Sequence, residues 1–167
     1  MSEAEPWLRG THSDIAAVPR AVLHALELAK EDLQRWCGGL TDDDLNARPA
    51  GIPPVAFHLR HIARSIDRLL TYAEGKDLNA AQIAGLRSEL DPGARRDELF
   101  QELDSAWRSA AGRIQSLGAS SLEETRHVGK KRLPATVGGL LVHVADHTQR
   151  HVGQAITTAK IVSAAKH

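Results

Sequence analysis

The sequence predicts an all-α protein: a four-helix bundle with a long crossover between its second and third long helices. Three observations carry this. Apolar residues recur at three- and four-residue steps through nearly the whole chain. Glycine and proline clusters cut that pattern into four long segments. No stretch of weight alternates apolar and polar residues with the period of a strand. On this reading the 167 residues, 42% of them apolar and 25% charged, form one domain over 1–167 with enough chain to build a core.

The first helix is expected from Ser13 to Cys37, with Ile15, Val18, Val22, Ala25, Ala29, Leu33 and Trp36 along one face. Ser13 or Asp14 suits its cap, and Gly38-Gly39 stops it. Pro19 falls inside the span and predicts a kink, or a start just before it. "LTDDDLNARPAGIPP" is a connection with room for one helical turn at Asp42 to Leu45, capped by Thr41. Pro53 and Pro54 suit the first turn of the second long helix, which carries Val55, Leu59, Ile62, Ile66, Leu69 and Ala73 and stops at Gly75.

Residues 78 to 90 read as a short crossover helix capped by Asn79, ended by the breaker "DPGA". The third long helix is expected from Arg95 to Leu117, with Leu99, Leu103, Trp107, Ala110 or Ala111, and Ile114 inward. "GASSLEETRHVGKKRLPAT" is either all loop or a short hairpin. The fourth long helix runs from Thr136 to Ala164.

Lys plus Arg and Asp plus Glu each total 21, so the net charge is zero. That balance, with no aromatics interleaved among the basic residues, excludes a dedicated nucleic-acid binder. A single cysteine, Cys37, rules out an internal disulfide and suits a reducing compartment. The start, "MSEAEPWLRGTHSD", lacks the basic-then-apolar order of a signal peptide. No apolar run is long enough to span a bilayer. The expectation is a soluble, cytoplasmic protein with no membrane partner.

The chemistry concentrates in "HVADHTQRHVGQ", where His143, His147 and His151 recur every four residues. At about 100° per residue they fall within about 80° of one another on one stripe. Leu140, Val144, Gln154 and Ile161 share that stripe. The helix is apolar almost all round, so the imidazoles on it are expected to be buried or in a pocket. Buried imidazoles need partners for both nitrogens, and one transition metal satisfies several rings at once. Two histidines at i and i+4 are a helical chelating pair, which needs a further ligand from elsewhere. The second helix offers two, His58 and His61, in "VAFHLRHIARS". Histidines satisfied within a core, or lining a pocket without metal, fit the same spacing.

"GGLLVHVADHTQRHVGQ" resembles the last-helix signature of the DinB-like (DinB/YfiT) superfamily: an apolar run, His-x-x-x-His, then x-Gly-Gln. "FHLRHIARSIDRLLTYAEG" matches that family's second-helix motif. The resemblance implies a four-helix bundle with a divalent-metal site, zinc or nickel, on His61, His147 and His151. It also implies frequent homodimers, and an activity of the thiol-transferase or isomerase kind. Most members have no known substrate. His143 is then the extra imidazole, a satisfied inward residue, and His58 lies behind the ligands or packs.

Three neutral imidazoles would leave a metal its full charge and an open position, suited to a hydrolase or to a transferase using a low-molecular-weight thiol. Gln154, Ser65 and Tyr72 are candidates to orient a ligand or line a pocket for a small-molecule substrate. No general base stands in the motif: Asp146 points about 100° away from His147. The stripe Arg60, Arg64, Arg68 and the loop "GKKR" read as solvated charge. His12 reads as part of a capping loop, and Cys37 as a weak nucleophile candidate. The competing function is a non-catalytic metal- or small-molecule-binding protein. A structural protein with inert histidines is the third.

Overall fold

A computed structural model describes residues 4–119 and 121–166. Among them the chain is mostly helical: α1 (Ala17–Cys37), α2 (Asp42–Asn46), α3 (Val55–Ala73), α4 (Ala80–Arg87), α5 (Arg96–Gly118) and α6 (Val137–Ala164), with 3₁₀ turns at Pro6–Leu8 and Pro49–Gly51. One antiparallel hairpin, β1 (Thr125–Val128) and β2 (Leu133–Thr136), precedes α6, with Thr125 opposite Thr136 and Val128 opposite Leu133. It resolves the last connection, left open between loop and hairpin by the sequence.

α1 starts at Ala17, not at Ser13, and Ala16 caps it without a side-chain bond. Pro19 explains this. As the third residue of the helix it removes an N–H that has no intrahelical acceptor anyway, so it sits without kinking the interior. Thr41 caps α2 in a box with Asp44, and Asn79 caps α4 in a box with Gln82. Pro54 is the residue before α3 rather than within its first turn. Gly75, at φ +77°, ends α3 in the left-handed turn that glycine adopts without a Cβ clash.

α3 packs along α6 and α5, and α1 along α6 and α5, so each long helix has two long neighbours. Leu33, Leu59, Ile62, Ile66, Leu70, Leu103, Ile114 and Leu141 are fully buried where they meet. Each such side chain contributes about 1.5–3 kcal/mol from leaving water. Leu69, expected inward, is half-buried, and its neighbour Leu70 takes the core position.

The arginine stripe of α3 is not solvated. Arg60 donates to the Asp91 carbonyl at 2.6 Å. Arg64 donates to Glu102 at 2.6 Å, to the Gly85 carbonyl at 2.8 Å and to Ser88 at 3.0 Å. Arg68 is buried and donates to Glu89 at 2.7 Å. These guanidiniums fasten the crossover onto α3, and that brings Glu89 to the histidines. "GKKR" does stay exposed, as the hairpin turn. No described helix is long and apolar enough to cross a membrane.

Candidate metal centre

The α3–α6 seam brings together His58 and His61 from one helix with His147 and His151 from the other. One nitrogen from each of His61, His147 and His151 lies within 4.8 Å of the others. His61 Nε2 and His147 Nε2 are 2.8 Å apart. The His61 ring centroid is 4.3 Å from that of His151, and the His147 and His151 centroids are 4.7 Å apart. Phe57 stacks on His61 at 5.4 Å and walls one side.

Two of the three rings are oriented from behind. Glu89, 4% exposed, accepts from His61 Nδ1 at 2.7 Å. An ionised carboxylate only accepts, so His61 Nδ1 carries a proton, and Nε2 is the nitrogen that faces the cluster. His58 Nδ1 lies 3.1 Å from His151 Nδ1, which leaves His151 Nε2 for the cluster. Such partners fix the tautomer and direction of a ligating imidazole. His147 differs: its Nδ1 is buried with no hydrogen-bond partner. Hydrogen bonding alone therefore does not account for the arrangement.

The electrostatics favour the neutral form of both donors on α6. Burial, then the charges of His61, His143 and Arg150, pushes His147 down to about 4. Burial and the neighbouring imidazoles push His151 down to about 3, and burial with His61 pushes His58 down to about 4. Burial alone would raise the Glu89 carboxyl. Hydrogen bonds from His61 and Arg68 and their charges outweigh it, and Glu89 lies below the usual carboxylate range. Three imidazoles with converging nitrogens, His147 and His151 among them held unprotonated by burial, fit a divalent transition metal.

A family model described as the DinB superfamily matches residues 25–155. The chain belongs to the DinB superfamily. No curated protein matches it. In this DinB-superfamily chain the match covers α3, the crossover that delivers Glu89, and α6 as far as Ala155, which includes His58, His61, His147 and His151.

Other expected site residues separate from the cluster. His143 is not inward: it sits half-exposed on the rim, Nδ1 2.9 Å from Asp146, its ring 5.3 Å from that of His147. Gln154 is exposed and makes no hydrogen bond to the imidazoles. Ser65 is buried but donates to its own helix, to the Ile62 carbonyl at 3.1 Å. Tyr72 packs against the core about 16 Å further along α3 than His61. Cys37 is buried, and its thiol is pushed up to about 12, which removes it as a nucleophile near neutral pH.

Glu89, Arg68 and Phe57 carry the site without having been foreseen. Glu89 falls within the helix expected over 78–90, but α4 ends at Arg87 and Glu89 lies in the turn after it; only Phe57, one turn before His61, was within reach of a spacing argument. A cavity of about 670 Å³ between the hairpin and α6 is lined by Val128, Pro134, Ala135, Leu140 and His143. A larger one, about 820 Å³ between α3, α4 and α5, is lined by no histidine.

Proposed function

We propose that this chain is a metal-dependent enzyme built on a single four-helix-bundle domain. His61, His147 and His151 hold a divalent transition metal, zinc or nickel. A small-molecule substrate reacts there with a low-molecular-weight thiol or with water, in the manner of a thiol transferase or a hydrolase. The observation that carries this is the Glu89–His61 pair at 2.7 Å, which aims the His61 Nε2 at His147. A divalent ion on three neutral imidazoles supplies Lewis acidity, which lets a thiol or water ionise near neutral pH.

The protein's own residues do the rest. Glu89 holds the proton on His61 Nδ1, with Arg68 fixing the carboxylate. His58 orients His151, and Phe57 shields the cluster from water on one side. The cavity under the hairpin adjoins the cluster through His143 and suits the apolar body of a substrate. His143, paired to Asp146, stands at that rim. Exposed Trp36, Val142 and Ile161 on α1 and α6 would suit a homodimer.

A second reading is a non-catalytic metal- or small-molecule-binding protein. It is favoured by one observation: both oxygens of Glu89 are engaged, by His61 and Arg68. Metal content of untagged protein, measured by plasma mass spectrometry beside His61→Ala and His147→Ala, tests both readings. The expected result is at least one equivalent of zinc or nickel in the parent, with one equivalent lost in each variant. Protein that holds no metal and takes up none on titration would overturn the metal readings. Screens for thiol transfer and hydrolysis then separate enzyme from binder.

A further inference from the structure

We infer that the chain has a second divalent-metal site, on His12, His24 and Glu27, which clasps the N-terminal segment to α1. Their donor atoms lie within 4.8 Å of one another, and His24 is 7% exposed. His12 Nε2 is 2.7 Å from Glu27 Oε1, and the His12 and His24 rings are 5.5 Å apart. Two imidazoles and one carboxylate are a sufficient donor set for zinc, with a fourth position left for water.

The backbone is arranged around this contact. His24 and Glu27 stand one turn apart on α1, so they share a face. His12 comes from the segment before the helix and is held at φ +57°, in the left-handed region that a histidine adopts at a cost. That conformation turns the segment back, so that Thr11 meets His24 Nε2 through its hydroxyl at 3.0 Å and its carbonyl at 3.2 Å. Arg9 pairs with Glu31 one turn beyond Glu27 at 2.6 Å, and fastens the same segment. His24 also lines a cavity of about 650 Å³ with Thr11, Ser13, Arg20 and Gln149, through which an ion and its water can enter.

The site is separate from the first. Gln149 of α6 donates to the Ala25 carbonyl at 2.7 Å, on the α1 side. His147 and His151, two residues to either side, face α3 about 200° round the helix. α6 therefore stands between the two clusters.

The test is zinc binding, by competition with a chromophoric chelator, to the His61→Ala/His147→Ala double variant, which removes the first site. One equivalent of zinc is expected, lost on adding His12→Ala or Glu27→Gln, both of which alter exposed or half-exposed groups and leave the helical circular dichroism intact. Zinc should also slow tryptic cleavage after Arg9 in the double variant, and not once Glu27→Gln is added. A folded double variant that takes up no zinc overturns the site. So does an equivalent that survives both further substitutions.

Discussion

Glu89 and His61 come from elements 28 residues apart and meet at 2.7 Å, with Arg68 holding the other carboxylate oxygen at the same distance. The Arg68–Glu89 ion pair is nearly dry: its side chains are 10% and 5% exposed. Glu89→Gln keeps an acceptor for His61 but removes the charge. We expect metal affinity to fall by about 10–100-fold, the usual effect of losing a carboxylate behind a ligating histidine. Glu89→Ala also strands the buried Arg68 charge and should destabilise the fold by about 3–5 kcal/mol. Chelator competition and urea unfolding measure the two effects. Unchanged affinity in Glu89→Gln would show that His61 does not need this partner.

His58 makes the matching contact to His151. His58→Ala should weaken metal binding by a similar factor of about 10–100 while leaving the stoichiometry at this site unchanged. Complete loss of the ion in a folded variant would instead make His58 a ligand.

Stability should depend on pH in one direction. His58, His147 and His151 are held at about 4, about 4 and about 3, below the ordinary histidine value of 6.5. Between these values and 6.5 the unfolded chain binds more protons than the folded one. Their neutral burial is therefore fully tolerated above pH 6.5, and stability is lost as pH falls from there towards 4. The metal-free protein should show a lower urea midpoint at pH 5 than at pH 7. The His147→Ala/His151→Ala variant should show a smaller drop; an equal drop would place the titration elsewhere.

Arg64 ties α3 to both α4 and α5 through Glu102, Gly85 and Ser88. Arg64→Ala should destabilise by about 1.5–3 kcal/mol, the range for hydrogen bonds to charged groups. It should also raise hydrogen exchange in α4 above that in α6. Uniform exchange would mean that the crossover is held by other contacts.

Gly118 closes α5 against the start of α1. A Cβ there would stand 2.6 Å from Pro19 Cγ. The ring is fixed within α1, so Gly118→Ala should cost about 1–3 kcal/mol through overpacking. A urea midpoint at or above the parent's would show that Pro19 can shift.

The helical character, the order of the long helices and the shared face of His147 and His151 are legible in the sequence, because these follow from local rules. Apolar spacing, Thr41 and Asn79 as caps, and Gly75 as a stop each act within a turn or two. The spacing of His147 and His151 places them on one face in any α-helix. Which groups meet those imidazoles depends on contacts between segments far apart in the chain. Glu89 has no local signature, and it reaches His61 because Arg60, Arg64 and Arg68 pull the crossover onto α3. The same packing turned a stripe that reads as solvated into a fastening, with Arg68 buried and Arg60 and Arg64 half-buried. It moved His143 to the rim and left Gln154 in solvent, because the rotation of α6 is set by its seam with α3 and α1 together. His12 likewise joins His24 and Glu27 only through one left-handed residue, a conformation that apolar periodicity does not reveal.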